Sequence, residues 1–489
     1  MLFAIESVWD SWEALTAWIA VFDVLLTVFV INVILNIKRE STSAVAWCML
    51  VILLPIVGSI FFYIFGYQAI HRPLQRKQKQ SRNYRQQEPA GPGNADPTAE
   101  HPHPGDPVWQ DLVHYARSVD GFPATDGNAV EAYHEGEPFF AALFDAVQAA
   151  THHIHIEFFI FRSDETGRKL IDLLCEKAKS GVEVRFLYDA VGGHDLRSSL
   201  LRQLRRAGGK THAFLPILNP LRRFRLNLRN HRKILVVDGR IGFVGGFNIG
   251  GEYLGLNPSF GFWRDSHVRL EGPAVRGLQR TFLEDWNFAD GETVQGEAYF
   301  PRVRTVGHER VQILRSGPDQ ELKTVREVLF AAILRARKRV WITTPYFVPD
   351  AGLRDALHFA ARSGIDVRII CPLRPDKWIP FLAARHYWVG MLDAGVKIYQ
   401  YSRGFMHAKM MIVDDGWATV GSANLDNRSL LLNFECNAVL YSPDSIEGLA
   451  AQFLKDLSGS IRLNPSTFAT RPYLSRFAEK VCWLLSPVL

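Results

Sequence analysis

The 489-residue sequence predicts an α/β protein built from two related halves, each a mixed sheet flanked by helices, carried behind a two-helix transmembrane hairpin. Three observations lead there. Asn230 to Asp238 and Met406 to Asp414 share the pattern H-x-K-x4-D, 176 positions apart, and Gly245-Gly246-Phe247-Asn248 and Gly421-Ser422-Ala423-Asn424 stand at the same offset from their histidines. A lone copy of so short a pattern arises by chance too often to carry weight, whereas two copies with matching flanks mark a duplicated half. Strand and helix patterns alternate in both halves in the same order. Two long apolar runs precede them.

The first run, about residues 14–37, has Asp23 as its only charge before Lys38; the second, about 45–65, has no charge and ends in Phe61-Phe62-Tyr63-Ile64-Phe65-Gly66-Tyr67. Each has the length and composition of a bilayer-crossing helix, with aromatics where the second would meet the interface. A signal peptide is the alternative for the first run, but no basic segment precedes it and no small-residue cleavage site follows. Arg72, Arg76, Lys77, Lys79, Arg82 and Arg85 follow the second run, against Lys38 and Arg39 between the two. That bias predicts a multi-pass hairpin in a cytoplasmic (inner) membrane, with the large C-terminal part in the cytoplasm. Cys48, Cys175, Cys371, Cys436 and Cys482 are scattered with no C-x-x-C spacing, which reads as reduced thiols and no metal site. A formal charge of +6 is modest for a nucleic-acid binder of this length and suits an anionic membrane face.

Residues 1–70 are therefore expected to form the hairpin. Residues 71–106, rich in Gln, Arg, Pro, Gly and His and almost devoid of aliphatics, are expected to be a flexible basic tether. The first half is expected over 107–305 and the second over 306–489. Ile154 to Phe161 reads as a strand, Gly167 to Ser180 as a helix and Val182 to Tyr188 as the next strand. Arg339 to Thr344, Gly352 to Ser363 and Gly364 to Ile370 repeat that order, and Gly364-Ile365-Asp366-Val367-Arg368 mirrors Gly181-Val182-Glu183-Val184-Arg185. At the C-terminus, Tyr473 to Leu485 has helical apolar spacing and fits either a membrane surface or the second half.

The repeat fails at one place. Ala207-Gly208 precedes His231 by 23 positions, but Ala394-Gly395 precedes His407 by 12, so the first half holds an insertion of about eleven residues. The stretch Phe214 to Arg229 mixes Leu and Phe with four arginines, Arg222, Arg223, Arg225 and Arg229. We read it as a lipid-facing lip, with packing between the halves as the alternative.

Period-two alternation puts the histidine and lysine of H-x-K on one face of a strand. A histidine beside a fixed cation suits attack on a phosphodiester, because imidazole serves as nucleophile or acid–base near neutral pH while the ammonium stabilises charge on phosphoryl oxygens. Two such pairs explain why the motif occurs twice: one histidine attacks, the other protonates the leaving alcohol and deprotonates the incoming one. Lys233 and Lys409 supply the positive charge without a metal. Asp238 and Asp414 end apolar stretches before turns and are expected to brace the local loop. His152, His153, His155, His194 and His267 lack an H-x-K context and are read as structural.

These motifs resemble the HKD motifs of the phospholipase D superfamily, and the chain resembles its bacterial cardiolipin synthase branch. Supporting segments are Thr42-Ser43-Ala44-Val45-Ala46-Trp47, Leu54-Pro55-Ile56-Val57-Gly58, Asn227 to Lys233, Trp263-Arg264-Asp265, Thr344 to Asp350, Gly421 to Ser429 and Ser486 to Leu489. The resemblance implies a bilobal fold of two phospholipase D-like halves related by pseudo-twofold symmetry, with one site between them. It implies a phosphatidyl-histidine on His231, with His407 as acid and base, and no cofactor. It further implies that Asn248 and Asn424 hold the phosphate with the lysines and that Asp265 and Glu435 orient the histidine of the opposite half. The expected reaction joins two phosphatidylglycerol molecules into cardiolipin and glycerol. Alternatives are transfer to water or another alcohol, and a catalytically silent scaffold for anionic lipid; a nuclease has little use for the apolar runs.

Overall fold

The computed structural model describes residues 2–37, 41–63, 71–87, 107–120, 122–216, 228–302 and 305–489. The chain divides into an N-terminal unit ending at Arg76 and a larger unit beginning at Lys77. Most of the insertion before His231 lies outside the described residues.

In the N-terminal unit the first apolar run forms α1 (Leu2–Ile37), in which Leu15–Asn36 is the one described helix long and apolar enough to cross a membrane. At 1.5 Å per residue its 22 residues cover the hydrocarbon thickness of a bilayer. The second run departs from the expected single span. It is broken at Leu54 into α2 (Ser41–Leu53) and α3 (Pro55–Phe61). Pro55 brings no N–H and disfavours helical backbone at Leu54, whose ψ is 76°. Gly58 then lies so close to α2 that a Cβ there would come within 2.5 Å of the Leu50 carbonyl oxygen. The chain folds back, Phe62 meeting Trp47 edge-on with centroids 5.4 Å apart. Val30, Ile34, Ala44, Val51 and Phe62 form the small core of this unit.

The first part of the segment expected to be a tether is instead helical, as α4 (His71–Gln87). Gln, Arg and Lys are good helix formers, and low aliphatic content hid the way this helix is held. Lys77 is 1% exposed and Tyr84 donates to the Val294 carbonyl at 2.5 Å.

The larger unit carries the repeat. Its first half contributes β1 (Thr125–Tyr133), β2 (His153–Phe158), β3 (Glu183–Asp189), β4 (Lys210–Phe214), β5 (Lys233–Val237), β6 (Ile241–Gly245), β7 (Phe262–Arg264) and β8 (His267–Glu271). The second contributes β9 (Glu309–Ser316), β10 (Arg339–Thr343), β11 (Phe347–Val348), β12 (Asp366–Pro372), β13 (Lys397–Tyr401), β14 (Gly404–Met406), β15 (Met410–Val413), β16 (Trp417–Gly421), β17 (Leu425–Asp426), β18 (Glu435–Leu440) and β19 (Ser460–Arg462). The first half runs β4-β3-β2-β5-β6-β8-β1 and the second β13-β12-β10-β15-β16-β18-β9, joined by the antiparallel pair β1–β9. The pairing sense also repeats: β2–β3 and β10–β12 are parallel, β2–β5 and β10–β15 antiparallel.

Three apolar cores follow from the alternation. Leu235 and Val237 face the core of the first half, and Met411 and Val413 that of the second. Ile234, Val236, Met410 and Ile412 point the other way and meet in a third core shared by both halves. Burial of this shared face fixes the halves against each other, and with them the two motifs.

Candidate active site

Each motif enters its strand beside a segment of the opposite half. Asn230 bridges Phe434 in parallel, and the His231 N–H donates to the Phe434 carbonyl at 2.9 Å. β14, leading to His407, pairs in parallel with β7, and the His407 N–H donates to the Arg264 carbonyl at 2.7 Å. In both cases the next residue across is a buried carboxylate. Glu435 Oε1 and Oε2 each lie 3.0 Å from His231 Nδ1, and Asp265 Oδ2 lies 2.6 Å from His407 Nδ1. Engaging Nδ1 leaves Nε2 of each ring as the atom available for chemistry. The structure thus brings His231, Lys233, His407, Lys409, Asp265 and Glu435 together.

Both lysines are locked the same way, Lys233 Nζ donating to the His231 carbonyl at 2.6 Å and Lys409 Nζ to the His407 carbonyl. Burial lowers both, Lys233 to about 7 and Lys409 to about 8, and Lys409 adds its own repulsion to Lys233. Burial also lowers His231, with Lys233, Lys409 and His407 depressing it further. His407 falls to about 4, through burial and Lys409, with Asp265 opposing. Four basic groups gathered out of water repel one another, and a phosphodiester anion among them would relieve that repulsion and raise all four.

The carboxylates are unequal. Burial would raise Asp265, but the charges of His407 and Lys409 outweigh it and hold it below the usual range. Burial pushes Glu435 up to about 7, against Lys233 and hydrogen bonds from Ser422 and Asn433. His407 therefore faces a firm anion, and His231 a carboxyl that titrates near neutrality.

The remaining predicted residues take other places. Asp238 has a φ of 53° and accepts from the N–H groups of Thr151, His152 and His153 at 2.8, 2.8 and 2.9 Å. Asp414, also at 53°, accepts from those of Arg337, Lys338 and Arg339 at 2.9, 2.7 and 2.9 Å. Each aspartate clamps the segment that starts the adjacent strand. The Asn248 amide oxygen accepts from the Ile160 N–H at 3.0 Å and its nitrogen donates to Tyr253 Oη at 3.1 Å. Asn424 is buried and its amide oxygen has no partner among the described residues. His153 and His155 both bond Gln279, His267 lies against Phe139 with centroids 4.5 Å apart, and exposed His194 reaches the Val191 carbonyl. The grouping His308, Glu309 and Asp444, which has metal-ligating atoms in reach of one another, lies outside both motifs.

Sequence reasoning missed a buried network behind the motif. Arg232, between His231 and Lys233, points to the opposite face, ion-pairs with Asp285 and donates to the carbonyls of Glu435 at 3.1 Å and Ser316 at 3.2 Å. Lys77 reaches the same Asp285 at 2.9 Å and Asp319 at 3.2 Å. The available signal was Arg232 itself, since alternation turns a cation inward there and demands a buried anion.

The family described as "Cardiolipin synthase, PLD-like domain" matches residues 143–286 and 329–457, and "Phospholipase_D-nuclease N-terminal" matches 17–66. The chain is 42% identical to a cardiolipin synthase of Geobacillus sp. (strain WCH70), over 98% of this chain and 96% of that one. It is 40% identical to a cardiolipin synthase of Halalkalibacterium halodurans, over 100% and 97%. The fold is similar to that of the crystal structure of phosphatidylserine synthase from Haemophilus influenzae Rd KW20, with a TM-score of 0.56 and 16% identity, over 78% of this chain and 100% of that one.

Proposed function

The chain belongs to the cardiolipin synthase family with phospholipase D-like domains and is a phosphatidyltransferase with cardiolipin synthase activity; from that premise we propose how its two motifs divide the work. The reciprocal pairing of each histidine with a carboxylate of the other half carries the reading. Phosphatidylglycerol enters with its phosphodiester among the two lysines. His231 Nε2 attacks phosphorus, the N–P bond forms and the P–O bond to glycerol breaks. His407 Nε2 gives its proton to the departing glycerol oxygen. A second phosphatidylglycerol then presents a hydroxyl, His407 takes its proton, the new O–P bond forms and His231 is released.

The unequal carboxylates support this assignment. A nucleophile must be neutral, which suits His231 beside a carboxyl that is itself near neutrality, whereas a proton carrier gains from the firm anion Asp265. Asn424 and Asn248, each through an amide N–H, complete the proposed phosphate cradle with Lys233 and Lys409.

The finer architecture belongs to the same proposal. The halves are related by a pseudo-twofold axis, as the repeated strand order suggests. α1 crosses a bacterial inner membrane, and the basic residues after the second apolar run hold the catalytic halves at the cytoplasmic side. Anionic lipids are the partners; nucleic acid is not.

Product analysis tests the function. Purified protein in mixed micelles with phosphatidylglycerol as sole phospholipid is expected to give cardiolipin and glycerol in equal amounts. Phosphatidic acid without cardiolipin contradicts the proposed acceptor.

A further inference from the structure

The helix Tyr473–Trp483 is turned inside out. Its one fully buried side chain is charged: Glu479, 1% exposed, accepts from Arg385 Nε at 2.8 Å and from Arg471 Nη2 at 2.7 Å. Its apolar side chains face outward instead, Leu474 78%, Phe477 55% and, just past its end, Leu484 68% exposed. The spacing of Tyr473, Leu474, Phe477, Val481, Leu484 and Leu485 puts them within a third of the helical circumference. A helix that only packed on its neighbour would bury that stripe and expose the glutamate. The neighbour is the helix Trp378–Asp393, against which Trp483 rests on His386 with centroids 4.8 Å apart, and it too begins with outward apolar residues, Trp378 and Ile379.

The chemistry around the stripe fits lipid. Arg476 and Lys480, one turn apart and exposed, line one edge of it, and exposed Lys377 precedes Trp378. Apolar and aromatic residues bordered by cations are the composition of a helix lying at an anionic bilayer surface. The patch also adjoins the site. Past the helix, the Ser486 carbonyl accepts from Asn427 Nδ2 at 2.9 Å and the Leu489 oxygen from the Arg428 N–H at 2.7 Å, both on the loop following Asn424.

We propose that the outward face of the Tyr473–Trp483 helix docks on an anionic bilayer, its apolar stripe among the acyl chains and Arg476 and Lys480 at the level of the phosphates. A diacyl substrate then meets the Asn424 loop without crossing water. The role in substrate delivery rests on the cardiolipin synthase reading; the docking does not.

The test uses the full-length protein in vesicles of phosphatidylglycerol and phosphatidylcholine. Leu474→Cys, Phe477→Cys and, as control, the exposed Asp444→Cys are each labelled with an environment-sensitive fluorophore, in a background with Cys48→Ser and Cys482→Ala. Nitroxide on the lipid chains is expected to lower emission at 474 and 477 about twofold or more and to leave 444 unchanged. Equal emission at all three positions overturns the proposal, as does quenching replaced by cross-linking between two copies through residue 474. Quenching needs no turnover, so it stands or falls separately from cardiolipin synthesis. Kinetics add a second readout. Leu474→Ser with Phe477→Ser is expected to raise the apparent KM for vesicular phosphatidylglycerol about tenfold and to leave the rate on monomeric short-chain phosphatidylglycerol unchanged. An equal loss on both substrates marks a merely structural role and overturns it.

Discussion

His407 Nδ1 lies 2.6 Å from Asp265 Oδ2, across 142 positions of sequence and from the other half of the molecule. The mirror contact joins His231 and Glu435. Each half therefore supplies the imidazole of one pair and the carboxylate of the other, so neither half completes a site alone. Asp265→Asn removes the anion that favours protonated His407. His407 then titrates lower, and the alkaline limb of the kcat/KM profile is expected to move to lower pH, with about a hundredfold loss of rate at pH 7. An unmoved limb contradicts the role.

Glu435→Gln should behave differently. Burial pushes Glu435 up to about 7, so below that pH the wild-type carboxyl is mostly protonated and glutamine is a near match for it. The variant's deficit is expected to be small at pH 6 and to widen through pH 8 as the wild type gains its charge. A deficit that is constant across that range sinks the argument.

Asp238 and Asp414 serve the fold. Both sit at positive φ and gather three backbone N–H groups each. Asp238→Ala strands those donors and adds the left-handed strain of alanine, an expected cost of about 3 kcal/mol by chemical unfolding, whereas Asn, which tolerates this backbone, loses about 1 kcal/mol. Burial opposes the Asp238 charge, but its hydrogen bonds hold its pKa below the usual range, so its contribution is present above the unfolded carboxylate pKa and is lost as pH falls through the lower folded value. The alanine deficit should therefore shrink in acid. Activity per folded molecule should change less than stability.

Lys77 and Arg232 share Asp285 in a fully buried cluster. Lys77→Met leaves that carboxylate with Arg232 alone and is expected to lower stability by about 3 kcal/mol. Adding Asp285→Asn removes much of the unpaired charge, so the double variant should lose less than the sum of the singles. Strict additivity places the two residues in separate environments and contradicts the network.

The strand–helix–strand runs repeated in both halves and the two H-x-K pairs were legible in the sequence, because period-two alternation and the repeat constrain each other; the order of the strands in the sheet was not. Leu235 and Ile234 face different cores as alternation requires. The break at Leu54 was less legible, since hydropathy counts apolar residues and is blind to the backbone that Pro55 and Gly58 impose. Lys77 was hidden for the opposite reason: its surroundings are polar, and only the fold brings Asp285 and Asp319 to it. The outward face of the Tyr473–Trp483 helix was hidden too, because periodicity finds a stripe without saying which side is covered.

Trapping the intermediate tests most directly whether the two histidines of this composite site are unequal. Phosphatidylglycerol labelled in the phosphatidyl group is mixed with enzyme, denatured in alkali to preserve a phosphorus–nitrogen bond, and the labelled peptide identified. Label is expected on the peptide containing His231 and absent from His231→Ala. Label that persists in His231→Ala and maps to His407 contradicts the assignment.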